Sequence, residues 1–422
     1  MLLIAATPGR RRASWSSALA LERNVVVMSS TLLLLLSASF TWQRLTPLIL
    51  RDYGATDVGV GIAVGLFSIG HALPQVLGGI VADRWGRKVA IVLPGLVAVV
   101  AYLLMGLTRN WLAVAGLFLV KQIMGAIQAP SFAAILAESV PRERRAMAFA
   151  VFQVATGLGY TIGPVIGAFL METYTIQLLM QVNGYALAVA TLVRWLWLDE
   201  TAWGSGAVSN GAAPTGWRDT RASARLVWAA VMAPPGRAIL ITGTLFVLIM
   251  TMTVQGPFIP LYARDRLGMD KAQVNLMFSA GPLVAIGVSL LAGRLISRHG
   301  PRVVLLGAVA AFGPFLAAWL GSPSFVVGAW LFAAAYVFLQ VSVIAYDTLR
   351  AGLVDGQGRG LALGILGALT GTVAALGPPL AAWLQQRMGY LTPFVVTFAA
   401  VLLLVVVLAG QGRPAHRRRQ VT

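Results

Sequence analysis

Nothing constrains this chain more than the spacing of its charges. They collect in short clusters, and between the clusters run apolar stretches of roughly 20 residues, the length a helix needs to cross about 30 Å of hydrocarbon. Twelve such stretches follow one another, near residues 25–50, 58–80, 89–107, 111–136, 146–170, 175–197, 238–262, 272–295, 303–320, 324–346, 361–385 and 390–410. Residues of the types AVILMFWYC make up 58% of the chain and charged residues only 11%, against roughly 25% charged in a soluble domain. A soluble core cannot absorb that excess, so soluble enzymes and disordered chains are excluded. The expected fold class is an all-α integral membrane protein built as two six-helix bundles related by pseudo-two-fold symmetry, twelve transmembrane helices in all.

The net charge of +18 would suggest a nucleic-acid partner in a soluble protein. Here the distribution of the basic residues explains it. Tails and loops on one side carry twenty-two Lys and Arg, including Arg84, Arg87, Lys88, Arg144, Arg145, Arg298, Arg302 and Arg359. The other side carries six: Arg51, Arg109, Arg264, Arg266, Lys271 and Arg387. Basic residues are retained in the cytoplasm during insertion. The chain is therefore expected in the cell membrane with both termini cytoplasmic, and nucleic acid is not an expected partner. The Gly/Ser/Asn/Pro-rich stretch after Asp199 reads as a polar linker. This divides the chain into a tail 1–24, a bundle 25–198, a linker 199–236, a second bundle 237–410 and a basic tail 411–422. With no cysteine and only His71, His299 and His416, disulfides and metal centres are not expected, and no cofactor motif is present.

The two bundles share one register. Gly79, Arg84 and Gly86 recur as Gly293, Arg298 and Gly300, Arg145 recurs as Arg359, and Gly163-Pro164 recurs as Gly377-Pro378, always 214 residues later. Duplicated halves of this kind place a substrate site between them near the bilayer midplane.

The segment Gly79-Ile80-Val81-Ala82-Asp83-Arg84-Trp85-Gly86-Arg87-Lys88 resembles the major facilitator superfamily signature G-x-x-x-D-R-x-G-R-[KR], at the position between spans 2 and 3 where that family carries it. Gly159 to Gly167, with Gly163 and Pro164 inside it, is similar to the family's antiporter-associated G-x-x-x-G-P-x-x-G motif. The resemblance covers essentially spans 1 to 12. It implies a secondary transporter working by alternating access. It also implies that Asp83, Arg84 and Arg87, with Glu138 as partner, form a cytoplasmic latch holding the halves together when the cavity faces outward. Ser297 stands where the second half would repeat Asp83, so that latch is asymmetric.

Intramembrane polar groups are costly and usually face a cavity. Arg44 falls in the outer part of span 1 and Lys121 near the middle of span 4, with Gly125 and Gln128 on the same helical face. His71 with Gln75 in span 2, and Gln255, Tyr336 and Gln340 in the second half, complete the candidate lining. None of the fourteen acids falls mid-span. A cavity with two cations and no carboxylate favours an anionic or amphipathic organic solute, exported or exchanged. If protons couple, Lys121 or His71 must carry them. A proton-coupled multidrug exporter and a lipid or lysolipid flippase are the alternatives within transport. A receptor or enzyme is the alternative outside it, and the absence of GxSxG, HExxH and Walker patterns argues against it. Expected partners are the lipid bilayer and a small-molecule substrate, with the protein acting as a monomer.

Overall fold

The computed structural model describes residues 22–201, 228–229, 231–351 and 359–410. The basic tails, most of the 199–236 linker and the loop before Arg359 lie outside the described residues. Fifteen α-helices follow in order among them: α1 Arg23–Ser39, α2 Thr46–Asp52, α3 Asp57–Ala72, α4 Gln75–Trp85, α5 Arg87–Met105, α6 Trp111–Glu138, α7 Arg145–Met171, α8 Ile176–Trp197, α9 Pro234–Met252, α10 Phe258–Asp265, α11 Lys271–His299, α12 Pro301–Leu320, α13 Phe325–Ala351, α14 Arg359–Met388 and α15 Thr392–Gly410. No strand occurs among the described residues.

Nine helices or continuous helix pairs are long and apolar enough to cross a membrane, and the bent run of α1 through α2 makes a tenth. The other two of the twelve expected passages are α11 and α14, of 29 and 30 residues. Both are long enough to cross, and each contains a largely uncharged apolar run, 276–293 in α11 and 361–378 in α14. Across the two halves α11 lies against α7 and α14 against α3.

The 214-residue register noted in the sequence extends to backbone detail. Gly54 and Gly268 both adopt positive φ after the first passage of each half, and Gly86 and Gly300 do so at the second turn. Only glycine takes such angles without strain. Thr56 caps α3 by accepting from the Gly59 amide, and Asp270, its equivalent, caps α11 through the Gln273 amide. The first passage of each half is also interrupted at equivalent places. Between α1 and α2 the chain makes a 3₁₀ turn at Gln43–Leu45, and between α9 and α10 it unwinds through Gln255 and Gly256 before Pro257. Such breaks are tolerated at membrane depth where they line a cavity.

The halves approach each other unevenly. A side chain on Gly61 would strike Ala382 and the Pro378 carbonyl, and one on Gly65 would strike the Ala375 carbonyl. Gly167 is likewise enclosed by the Thr41 carbonyl and Asn275, whose amide donates to that carbonyl at 2.7 Å. All these contacts lie toward the end that carries Arg51 and Asp265. Toward the opposite, basic end, Gly79, Gly287, Gly293, Gly367 and Gly371 have open space in place of a neighbour. The structure is closed at one end and parted at the other.

Candidate functional site

Beneath the closed end a chamber of about 450 Å³ lies between the halves, and a second of about 360 Å³ adjoins it within the first half. They share Phe40, Gln43, His71 and Gln122 and form one polar-lined space. The break after α1 delivers Arg44 into it, and the break after α9 delivers Gln255. Arg44 sits between two aromatic faces, 5.0 Å from the Phe40 ring centroid and 5.3 Å from that of Phe278. Phe40 belongs to the first half and Phe278 to the second, so this cation bridges the interface. Deeper in, Lys121 donates to the Gln122 side-chain oxygen at 3.0 Å and lies 5.2 Å from the Phe118 ring. His71 and Gln128 complete the lining. Neither chamber's lining includes a carboxylate.

Of the candidate lining, the structure brings together Arg44, His71, Lys121, Gln128 and Gln255. Tyr336 stands behind them: its ring packs against Gly281 and its phenol interacts electrostatically with Arg44 and Tyr160. Gln75 donates to the His71 carbonyl one turn away, and Gln340 lies on α13 outside both linings. The chambers pair cations with Phe40, Phe67, Phe118 and Phe278, a surface suited to a solute with an anionic head and an apolar body.

The closed end is held by charge. Arg51 makes a two-pronged contact with Asp265, each nitrogen to oxygen at 2.5 Å, and Tyr390 donates to the same carboxylate at 2.9 Å. Beside it Asp52 accepts from Arg264 at 2.6 Å and from Lys271 at 2.7 Å. Arg51 and Asp265 are 214 residues apart, so they are repeat-equivalent positions carrying opposite charge. Burial works against ionisation of Asp265, but the hydrogen bonds from Arg51 and Tyr390 and the charges of Arg51 and Arg264 outweigh it. Its carboxyl is held below the usual range. Outside this gate a wider cleft of about 1020 Å³ is lined by both signs of charge, including Arg109, Glu172 and Lys271.

At the basic end the signature motif makes its bonds within the first half. Arg87 pairs with Asp83 at 2.7 Å and lies 3.5 Å from Glu138, which accepts from Thr201. Glu200 caps α5 by accepting from the Arg87 and Lys88 amides, both at 2.9 Å. Arg84 and Arg298 are exposed, and Gly86 supplies the turn. In this state Glu138 is thus a partner of Arg87 within one half, and the ion pairs that join the halves cluster at the other end. The span 5 glycines do pack: Gly159 and Gly163 lie against Leu36, Ser37 and Phe40 of α1. Pro164 follows them, while Gly377, beside Pro378, rests on Thr251 and Met252 of α9.

The family description Major Facilitator Superfamily matches residues 27–248 and 241–421, which together cover most of the chain. The protein belongs to the Major Facilitator Superfamily. It is a membrane transporter rather than an enzyme. Among curated relatives, the multidrug resistance protein MdtG of Dickeya zeae is 24% identical over 368 residues, 84% of each chain. MdtG of Serratia proteamaculans is 27% identical over 271 residues, a match that spans 62% of either protein. The solved structure of the human organic anion transporter MFSD10 shares the fold, with a TM-score of 0.62 at 22% identity over 92% of this chain and 99% of that one.

The sequence reading missed two groups. The gate pair Arg51 and Asp265 counted only as loop charges, although their shared register and opposite sign were readable. Arg194, near the end of span 6, was not singled out, and the structure buries it to 1% exposure.

Proposed function

We propose that this transporter exports or exchanges a small organic solute carrying negative charge, with an apolar or amphipathic body. The observation that carries this reading is a chamber holding Arg44, Lys121 and His71 with no carboxylate in its lining. A cation in that setting gains about 1.5–3 kcal/mol from a charge-assisted hydrogen bond to an anion. A cationic solute finds no counter-charge there. The relatives named for multidrug resistance support the outward direction. The likeness to MFSD10 is one of fold, so the anion reading rests on the chamber itself.

In this proposal the units 25–198 and 237–410 rock about the chamber, joined by the linker 199–236, and the protein works as a monomer. The basic end faces the cytoplasm, where retained Lys and Arg place it, and the Arg51–Asp265 end faces outward in the plasma membrane. Any uphill movement draws on an ion gradient, with His71 or Lys121 carrying the proton if protons couple. The aromatic lining and the MdtG relatives favour one second reading, a multidrug exporter of lipophilic solutes.

Proteoliposomes separate these readings. Uptake of organic anions, lipophilic cations and lysolipids is followed with and without a pH gradient. Anions are expected to be carried, and carried more weakly after Lys121→Gln. Preference for lipophilic cations overturns the anion reading in favour of the second, and preference for lysolipids assigns a flippase.

A further inference from the structure

We propose that a chloride-sized inorganic anion binds beside Arg194, inside the N-terminal half and apart from the organic solute. Arg194, on α8, is 1% exposed. Its Nε donates to Thr31 Oγ1 on α1 at 2.9 Å, and its guanidinium lies 5.0 Å from the Phe132 ring on α6. Among the described residues its Nη2 has no partner, and neither do the buried hydroxyls of Ser131 and Thr191. Their places on the helices are related in sequence. Gln128 and Thr191 both face Gly95, and one turn further along the same two helices stand Ser131 and Arg194.

A buried cation normally meets a counter-charge. The acids at the nearby basic end of the first half are engaged elsewhere or exposed: Glu22 with Arg144, Asp83 with Arg87, Glu138 with Arg87 and Thr201, Asp199 with Arg23, Glu200 with the α5 amides, and Glu143 exposed. The cluster therefore presents donors and one positive charge, with no carboxylate to neutralise them.

The second half supplies an internal control. Moving 214 residues along, Thr31, Ser131, Thr191 and Arg194 become Leu245, Ala345, Val405 and Leu408. Leu408 is as buried as Arg194. The scaffold packs with an apolar side chain at this position, so a buried arginine there is not a requirement of the fold. Space limits the guest. A methyl group at Gly95 would stand 2.9 Å from Thr191 Oγ1 and 3.6 Å from Gln128 Nε2, a spacing too tight for an organic solute.

The test uses the full-length protein in nanodiscs, melted in sodium chloride against sodium fluoride at constant ionic strength. Chloride is expected to raise the Tm of the wild type saturably, as any ligand of the native state must. Arg194→Leu is expected to abolish that response while Lys121→Gln keeps it. Should Arg194→Leu fail to fold, Ser131→Ala combined with Thr191→Val is expected to raise the half-saturating chloride concentration about tenfold. A wild type that melts alike in both salts overturns the proposal, since buried water would then satisfy the cluster. So does a response retained by Arg194→Leu, unchanged in the Ser131/Thr191 variant, or lost only with Lys121. None of these results depends on which organic solute is carried.

Discussion

Removing the Arg51–Asp265 pair should open the closed end, and the size of the effect follows from its setting. The pair is two-pronged at 2.5 Å, with side chains 22% and 21% exposed, so it is partly shielded from solvent but not buried. Exposed ion pairs contribute little, whereas hydrogen bonds to charged groups contribute about 1.5–3 kcal/mol, which places this pair near 2 kcal/mol. Asp265→Asn should then shift the ratio of closed to open molecules about thirtyfold. The chain contains no cysteine, so Leu107→Cys and Met388→Cys, exposed and one in each half at that end, accept spin labels without background. Double electron–electron resonance should show the short distance give way to a longer one in Asp265→Asn and in Arg51→Gln. The double variant should move no further than either single change, because both remove the same contact. Unchanged distances, or shifts that simply add, would refute the gate.

Three further outcomes follow from the same geometry. The Asp265 pKa is lowered in the paired state, so closure is complete above the ordinary carboxylate pKa of about 3.9 and is lost as the pH falls through the lowered value; the same labels, read from neutral to acid pH, should report opening only on the acid side. Gly163→Leu should lower the Tm by forcing a side chain into Phe40 and Ser37, an overpacking cost of about 1–3 kcal/mol, whereas Gly79→Ala, with open space around it, should not destabilise this state. Lys121→Gln should weaken anion binding about tenfold in equilibrium binding of the wild-type solute, with Lys121→Arg retaining most of it.

Much of the fold was legible because two strong signals agree. Charge-free stretches of membrane-spanning length set the helices, and a fixed register of 214 residues set the duplication, down to turn glycines and helix caps. The breaks in α1–α2 and α9–α10 were less legible, since apolar residues resume directly after Gln43-Arg44 and Gln255-Gly256-Pro257 and keep each stretch at spanning length. Those breaks decide which polar residues enter the chamber. Arg44 and Gln255 enter because the backbone unwinds beside them, while Tyr336 and Gln340, on an uninterrupted helix, do not line it. The latch at the signature motif depends on which state is formed, and sequence carries both states at once. Arg194 was obscured by its position three residues from a helix end, where an arginine usually reaches outward to the interface. Here it turns inward because Thr31 and Phe132 on neighbouring helices receive it.

The central claim is that solute is held by cations in a chamber lacking any counter-carboxylate. Its most direct measurement is exchange in proteoliposomes of one labelled organic carboxylate against excess unlabelled carboxylate, its neutral amide, or an amine of the same shape. The account predicts that the carboxylate alone drives exchange, and that Arg44→Gln and Lys121→Gln each weaken it. Equal exchange by the amide or the amine, or exchange undiminished in both variants, would contradict it.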